Sequence, residues 1–80
     1  MKDQIQTLEQ LMQEARLHGD TDQQKHELAA NVVEIYIAAC SEMRAKTGSL
    51  RVVNEPNYSR LMTERIEYAE NKCREYLGRR

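Results

Sequence analysis

From Pro56 to Leu77 the chain carries apolar residues at Tyr58, Met62, Ile66, Ala69, Cys73 and Tyr76, stepping by four, four, three, four and three. That spacing keeps all six on one face of an α-helix and fits no strand, whose faces alternate with every residue. Leu61 and Leu77 widen the stripe. A greasy face of this length needs a large apolar counterpart, inside the chain or on another protein. Partner binding is the first functional reading it suggests.

The rest of the chain reads as two further helices. Ile5, Leu8, Leu11, Met12 and Ala15 recur at helical spacing over about 2–18. Gly19 then stops the segment, since glycine reaches the left-handed conformation that ends a helix without steric strain. Thr21 followed by Gln24 matches a capping box for a second helix over about 22–46. Its main stripe is Leu28, Val32, Ile35, Ala39 and Met43, with Ala29, Val33, Tyr36 and Cys40 beside it and Ile37 adding width. A helix apolar over so much of its circumference is expected to pack on more than one side. The β-branched run Val32–Ile37 is a strand candidate by composition, but the long periodic pattern around it favours helix.

Gly48 is the expected stop of the second helix and Gly78 of the third, which runs over about 56–77 with Pro56 in its first turn. Leu50, Val52 and Val53 in the connector are expected to pack on something. Glu64, Glu67, Glu70 and Glu75 interleave with Arg60, Arg65, Lys72 and Arg74, which reads as a solvated mixed-charge surface. The fold class is therefore all-α. One domain over 1–80 would hold two long antiparallel helices, as a hairpin, and a shorter N-terminal helix.

Composition narrows the functional classes. Twelve Lys and Arg against thirteen Asp and Glu give a net charge of -1, unlike the clustered basic surface of a nucleic-acid domain. With no Phe or Trp, any core is thin, and thin cores are often completed by oligomerisation. Met1–Thr7 lacks the apolar core of a secretory signal, and no stretch nears the roughly 20 apolar residues of a membrane span. A cytoplasmic location is expected. Cys40 and Cys73 then read as free thiols packed like small hydrophobes, with a bridge between them as the alternative.

Catalytic and metal chemistry leave little trace. His18 and His26 flank the Gly19 break without carboxylates at zinc-site spacing, and the three glycines form no phosphate-cradling loop. No catalytic residue, metal ligand or cofactor is expected. A small helical regulator of phage or plasmid type, acting by protein or DNA binding, is an alternative reading. There the turn Gly19–Asp22 would precede a recognition segment of Gln23, Gln24, Lys25 and His26. A third is a small all-helical enzyme of chorismate-mutase type, with Arg16, Arg44, Lys46 and Arg51 as its anion-binding candidates.

The stretches Pro56-Asn57-Tyr58, Leu61-Met62 and Ile66-Glu67-Tyr68-Ala69-Glu70 resemble the second long helix of type III secretion needle co-chaperones, the YscE/SsaE-like family. Thr7-Leu8-Glu9-Gln10-Leu11 is similar to their short N-terminal segment, and together these cover about half the chain. The second helix is longer here, and the connector carries Leu50, Val52 and Val53, unlike the family pattern. The resemblance implies a cytoplasmic helical hairpin that binds a helical chaperone, the pair keeping the needle subunit monomeric before export. By position it implies that Tyr58, Leu61, Met62, Ile66 and Ala69 form the hairpin and partner faces, with Leu8 and Leu11 beside them. Continuing that stripe adds Cys73 and Tyr76 to the candidate partner-binding residues. Self-association is the alternative use of the same face.

Overall fold

The computed structural model describes residues 3–47 and 55–79, with the backbone path alone at 47 and 55–59. It contains three helices, α1 (Gln4–Leu17), α2 (Asp22–Thr47) and α3 (Glu55–Gly78), and no strand among the described residues. The all-α, three-helix architecture expected from periodicity is the one found.

α1 starts where Asp3 turns its carboxylate back on the helix, accepting from the amides of Ile5 at 2.8 Å and Gln6 at 3.1 Å. Those are orphan first-turn donors, so Asp3 is the cap and the helix begins two residues later than its apolar pattern suggests. The capping box of α2 forms as expected. Thr21 Oγ1 accepts from the Gln24 amide at 3.1 Å, and Gln24 Oε1 accepts from the amides of Asp20 at 2.9 Å and Thr21 at 3.3 Å.

Gly19 sits at the break, but for another reason than a left-handed backbone, which it does not adopt. The cap residue His18 stays in the right-handed region, at φ -86° and ψ -7°. Glycine is required by proximity instead: a Cβ there would lie 2.8 Å from the Lys25 amide nitrogen and 3.1 Å from the Gln24 carbonyl carbon. The turn is thus so tight that the first turn of α2 passes against its backbone. That reversal lays α1 antiparallel to α2.

α3 runs antiparallel to α2. Asn31 Nδ2 donates to the Tyr76 hydroxyl at 3.0 Å, and the Cys73 thiol donates to the Val32 carbonyl at 3.5 Å. Gly78 was expected to stop α3, yet it is the last helical residue. Its Cβ position is open, and the Arg79 amide is shared between the carbonyls of Glu75 and Tyr76 as the helix tightens to its end. The stop expected at Gly48 and the packing expected of Leu50, Val52 and Val53 lie outside the described residues.

The core joins Leu11 and Ala15 of α1, Leu28, Val32, Tyr36 and Ala39 of α2, and Ala69, Cys73 and Leu77 of α3. Ala29 and Ile66 are also buried. α2 packs on both neighbours, as its broad apolar surface requires. Three expectations are corrected. Ile37 does not widen the core, being 58 % exposed, and Ile5 on α1 is exposed as well. Arg65 and Glu70 are buried rather than part of a solvated charged surface. Glu70 is met by Arg74 of its own helix at 3.3 Å, and a partnered charge can be sheltered where a bare one would be expelled.

The lengths of the helices decide where that core ends. At about 1.5 Å per residue, α2 and α3 each approach 40 Å while α1 is nearer 20 Å, in a body measuring 46 × 21 × 17 Å. Past Ala39 on α2 and before Arg65 on α3, no described side chain is fully buried. One end is a packed three-helix bundle, and at the other the described residues belong to α2 and α3 alone.

Candidate partner-binding surface

The α3 stripe divides at Arg65. Ile66, Ala69 and Cys73, placed by sequence on a partner-facing stripe, are sealed in the chain's own core with 2 %, 0 % and 0 % exposure. For Ala69 and Cys73 α1 is the reason: its Leu11 and Ala15 join them in one cluster, which does not include Ile66. Leu61 and Met62, one to two turns earlier, are only half-buried, and so is Met43 of α2. Tyr76 is half-buried at the other end, its hydroxyl accepting from Asn31. The side chain of Tyr58 lies outside the described residues.

Among the described residues the hairpin end thus carries Met43, Leu61 and Met62, all half-buried, and two of these three are methionines. Unbranched thioether side chains adapt to irregular partners more readily than branched aliphatics. The exposed charges around it are balanced, with Arg44, Lys46 and Arg60 against Glu42, Glu64 and Glu67. Such a rim suits a protein surface of mixed charge better than a polyanion.

A second feature lies on the seam between α2 and α3. Ile35, Ala38, Ala39 and Glu42 of α2, with Lys72 of α3, line an open groove of about 230 Å³. Tyr68 stands beside it, its ring flanked by the ammonium of Lys72 at 5.4 Å and that of Lys46 at 5.6 Å from the centroid. The Tyr68 hydroxyl donates to Glu42, which lowers the Glu42 carboxyl and raises the phenol from their ordinary ranges. Lys46 adds an ion pair to Glu42 at 3.5 Å. These side chains tie α2 to α3 just past the end of the buried core.

The two thiols are free, Cys73 buried and Cys40 half-buried. Burial pushes Cys73 up to about 11 and raises Cys40 as well, so neither is poised as a thiolate. Tyr36 lies 1 % exposed in the middle of the core, and burial raises its phenol to about 12. Its hydroxyl has no hydrogen-bond partner among the described residues.

Arg16, Arg44 and Lys46 occupy separate exposed positions, Lys46 being engaged with Glu42, while Arg51 lies outside the described residues. His18 caps α1 and His26 is exposed. Among the described residues no cluster of three or more His, Cys, Asp or Glu could hold a metal ion, and no helix is long and apolar enough to cross a membrane. Sequence reasoning missed the burial of Arg65 and Glu70, which their charge concealed. It missed the Asp3 cap too, although Asp before a helical pattern is a recognisable signal.

No protein-family model, curated protein or solved structure gives a significant match to this chain.

Proposed function

We propose that this chain is a small helical protein-binding module of co-chaperone type, acting in the cytoplasm. Its partner is a helical protein that lies against the half-buried residues at the Met43–Met62 end of the α2–α3 hairpin. The observation that supports this reading is the mismatch in helix length: α1 packs with Ala69, Cys73 and Leu77 of α3, while Met43, Leu61 and Met62 are only half-buried. A partner helix seated there would continue the packing that α1 begins, with Met43 and Met62 adapting to its side chains. The resemblance of α3 to type III secretion needle co-chaperones nominates the partner as a helical chaperone that holds the needle subunit before export.

The test is co-expression with the chaperone and needle subunit of a type III secretion locus. Co-purification of a stable complex, lost in Leu61→Asp and Met62→Asp variants that keep their helical circular dichroism, supports the reading. Failure of the wild-type chain to join the complex removes the secretion assignment. Undiminished binding by both variants removes this surface.

A further inference from the structure

α1 and α2 are joined by only four residues, His18–Thr21, and His18 already has a right-handed helical backbone. The reversal of the chain is thus made within Gly19, Asp20 and Thr21. It depends on glycine, because a Cβ at position 19 would lie 2.8 Å from the Lys25 amide nitrogen. In a straight helix those two positions stand about 9 Å apart along the axis, and no such clash arises. The apolar faces are also compatible with a straight path. Leu11 lies eighteen positions before Ala29 and twenty-five before Tyr36, about five and seven whole turns. All three are buried, so the inward faces of α1 and α2 would share one side of a continuous helix.

We propose that two copies of this chain exchange α1: the break at Gly19 straightens, and α1 of each copy seats on the α2–α3 hairpin of the other. The closed chain shows what fits that seat, because its own α1 fills it. Leu11 and Ala15 join Val32, Tyr36, Ala69 and Cys73 there, and Glu14 pairs with Arg74 at 3.2 Å. A second copy offers the same side chains, so each of these contacts reforms between chains. Direction agrees as well. Two straightened copies related by a two-fold axis at the break run antiparallel. That lays α1 of one antiparallel to α2 of the other, as in the closed chain. The contact is isologous, so assembly stops at the dimer.

Closed and exchanged forms then differ mainly at the hinge. Straightening gives the last carbonyls of α1 and the first amides of α2 helical partners. It sacrifices the Thr21–Gln24 box and the bond from the Asp20 amide to Gln24. Gly19 tips that balance toward the closed monomer in two ways. It leaves room for the tight turn, and it is a poor residue inside a helix. The exchange leaves the Met43–Met62 end of the hairpin as it is, so this proposal and the one for a helical partner can fail separately.

Sedimentation equilibrium of the whole chain, refolded from urea and studied from roughly 10 μM to 1 mM, tests this. Gly19→Ala crowds the closed turn and favours the straight helix, by roughly tenfold per chain. Its dimer should therefore be about a hundredfold tighter than that of the wild type. Inserting Gly-Ser-Gly-Ser after position 19 of that variant gives the turn room and breaks the long helix, and should return it to a monomer. Charge reversal in the Gly19→Ala background reads the exchange itself. Glu14→Arg and Arg74→Glu each set like charges together in their own dimers, whereas a mixed dimer pairs opposite charges at both seats. Refolded together in equal amounts, they should give a heterodimer in excess over either homodimer by native mass spectrometry. A Gly19→Ala chain no more associated than the wild type, a dimer that survives the insertion, or a mixture without excess heterodimer would each overturn the proposal.

Discussion

The guanidinium of Arg74 on α3 holds the carboxylate of Glu14 on α1 through two hydrogen bonds, Nε to Oε2 at 3.3 Å and Nη2 to Oε1 at 3.2 Å. Its remaining nitrogen, Nη1, lies 3.3 Å from Glu70, a carboxylate only 8 % exposed. One side chain thus pins the short helix to the hairpin while neutralising a sheltered charge. Because Arg74 and Glu14 are both well hydrated, their own coupling in a double-mutant cycle should be about 0.5–1 kcal/mol in urea unfolding. Arg74→Ala alone should lose more, about 1–2 kcal/mol, because it also takes a partner from Glu70. Arg74→Lys should restore little, since an ammonium cannot reproduce the two-pronged grip.

Tyr36 presents the opposite situation, a buried polar group with no partner among the described residues. A sheltered hydroxyl without a hydrogen bond is destabilising by about 1–3 kcal/mol. Tyr36→Phe should therefore leave stability unchanged or raise it by up to about 1 kcal/mol, measured by urea midpoint. Tyr36→Ala should lose about 3–5 kcal/mol through the cavity it opens. A clear loss in the Phe variant would mean that the hydroxyl is bonded after all.

The same burial makes the fold sensitive to alkali. Cys73 ionises at its ordinary 9.0 when unfolded and near 11 when folded, while Tyr36 moves from 10.0 to about 12. A folded-state pKa above the unfolded one gives stability that is complete below the unfolded value. It is lost as pH climbs through the folded value. Unfolding free energy should hold up to about pH 9 and fall between pH 9 and 12, by on the order of 3 kcal/mol per group at most. Cys73→Ala should remove the early part of that fall. At neutral pH a thiol reagent should modify Cys40 first and reach Cys73 only on unfolding.

Gly19 is tested by the smallest side chain. The atoms that a Cβ would meet include backbone of the first turn of α2, which cannot swing aside. Gly19→Ala should therefore destabilise by about 1–3 kcal/mol, although alanine is normally the better residue beside a helix. Thr21→Ala, which removes the cap from the Gln24 amide, should lose about 1 kcal/mol. Equal stability of wild type and Gly19→Ala, by thermal melting, would show that the turn relaxes.

What the sequence revealed and concealed follows from the range of the interactions involved. The three helices, the Thr21–Gln24 box and the break at Gly19 all rest on residues within a few positions of one another. The apolar periods also marked Leu11 and Val32 as packing positions, and put Ile66 and Cys73 on a stripe assigned to a partner. Periodicity could not show which inward face meets the chain's own core, because that depends on how far α1 reaches along the hairpin. Hence the described part of one continuous stripe divides into a half-buried length at Leu61 and Met62 and a buried length from Ile66 to Cys73. Arg65 and Glu70 were hidden for the same reason: their burial comes from neighbours distant in sequence. Ile37 erred the other way, apolar in type yet turned from both neighbouring helices.

The division of that stripe is best tested by comparing two like substitutions on α3, Leu61→Asp and Ile66→Asp, by urea unfolding of the isolated chain. Ile66 is buried, and a carboxylate there should lose more than about 4 kcal/mol and unfold the protein. Leu61 is half-buried, and the same change should lose about 1–2 kcal/mol, leaving the chain folded while abolishing partner binding. If both variants unfold alike, the hairpin end is core and no surface remains there for a partner.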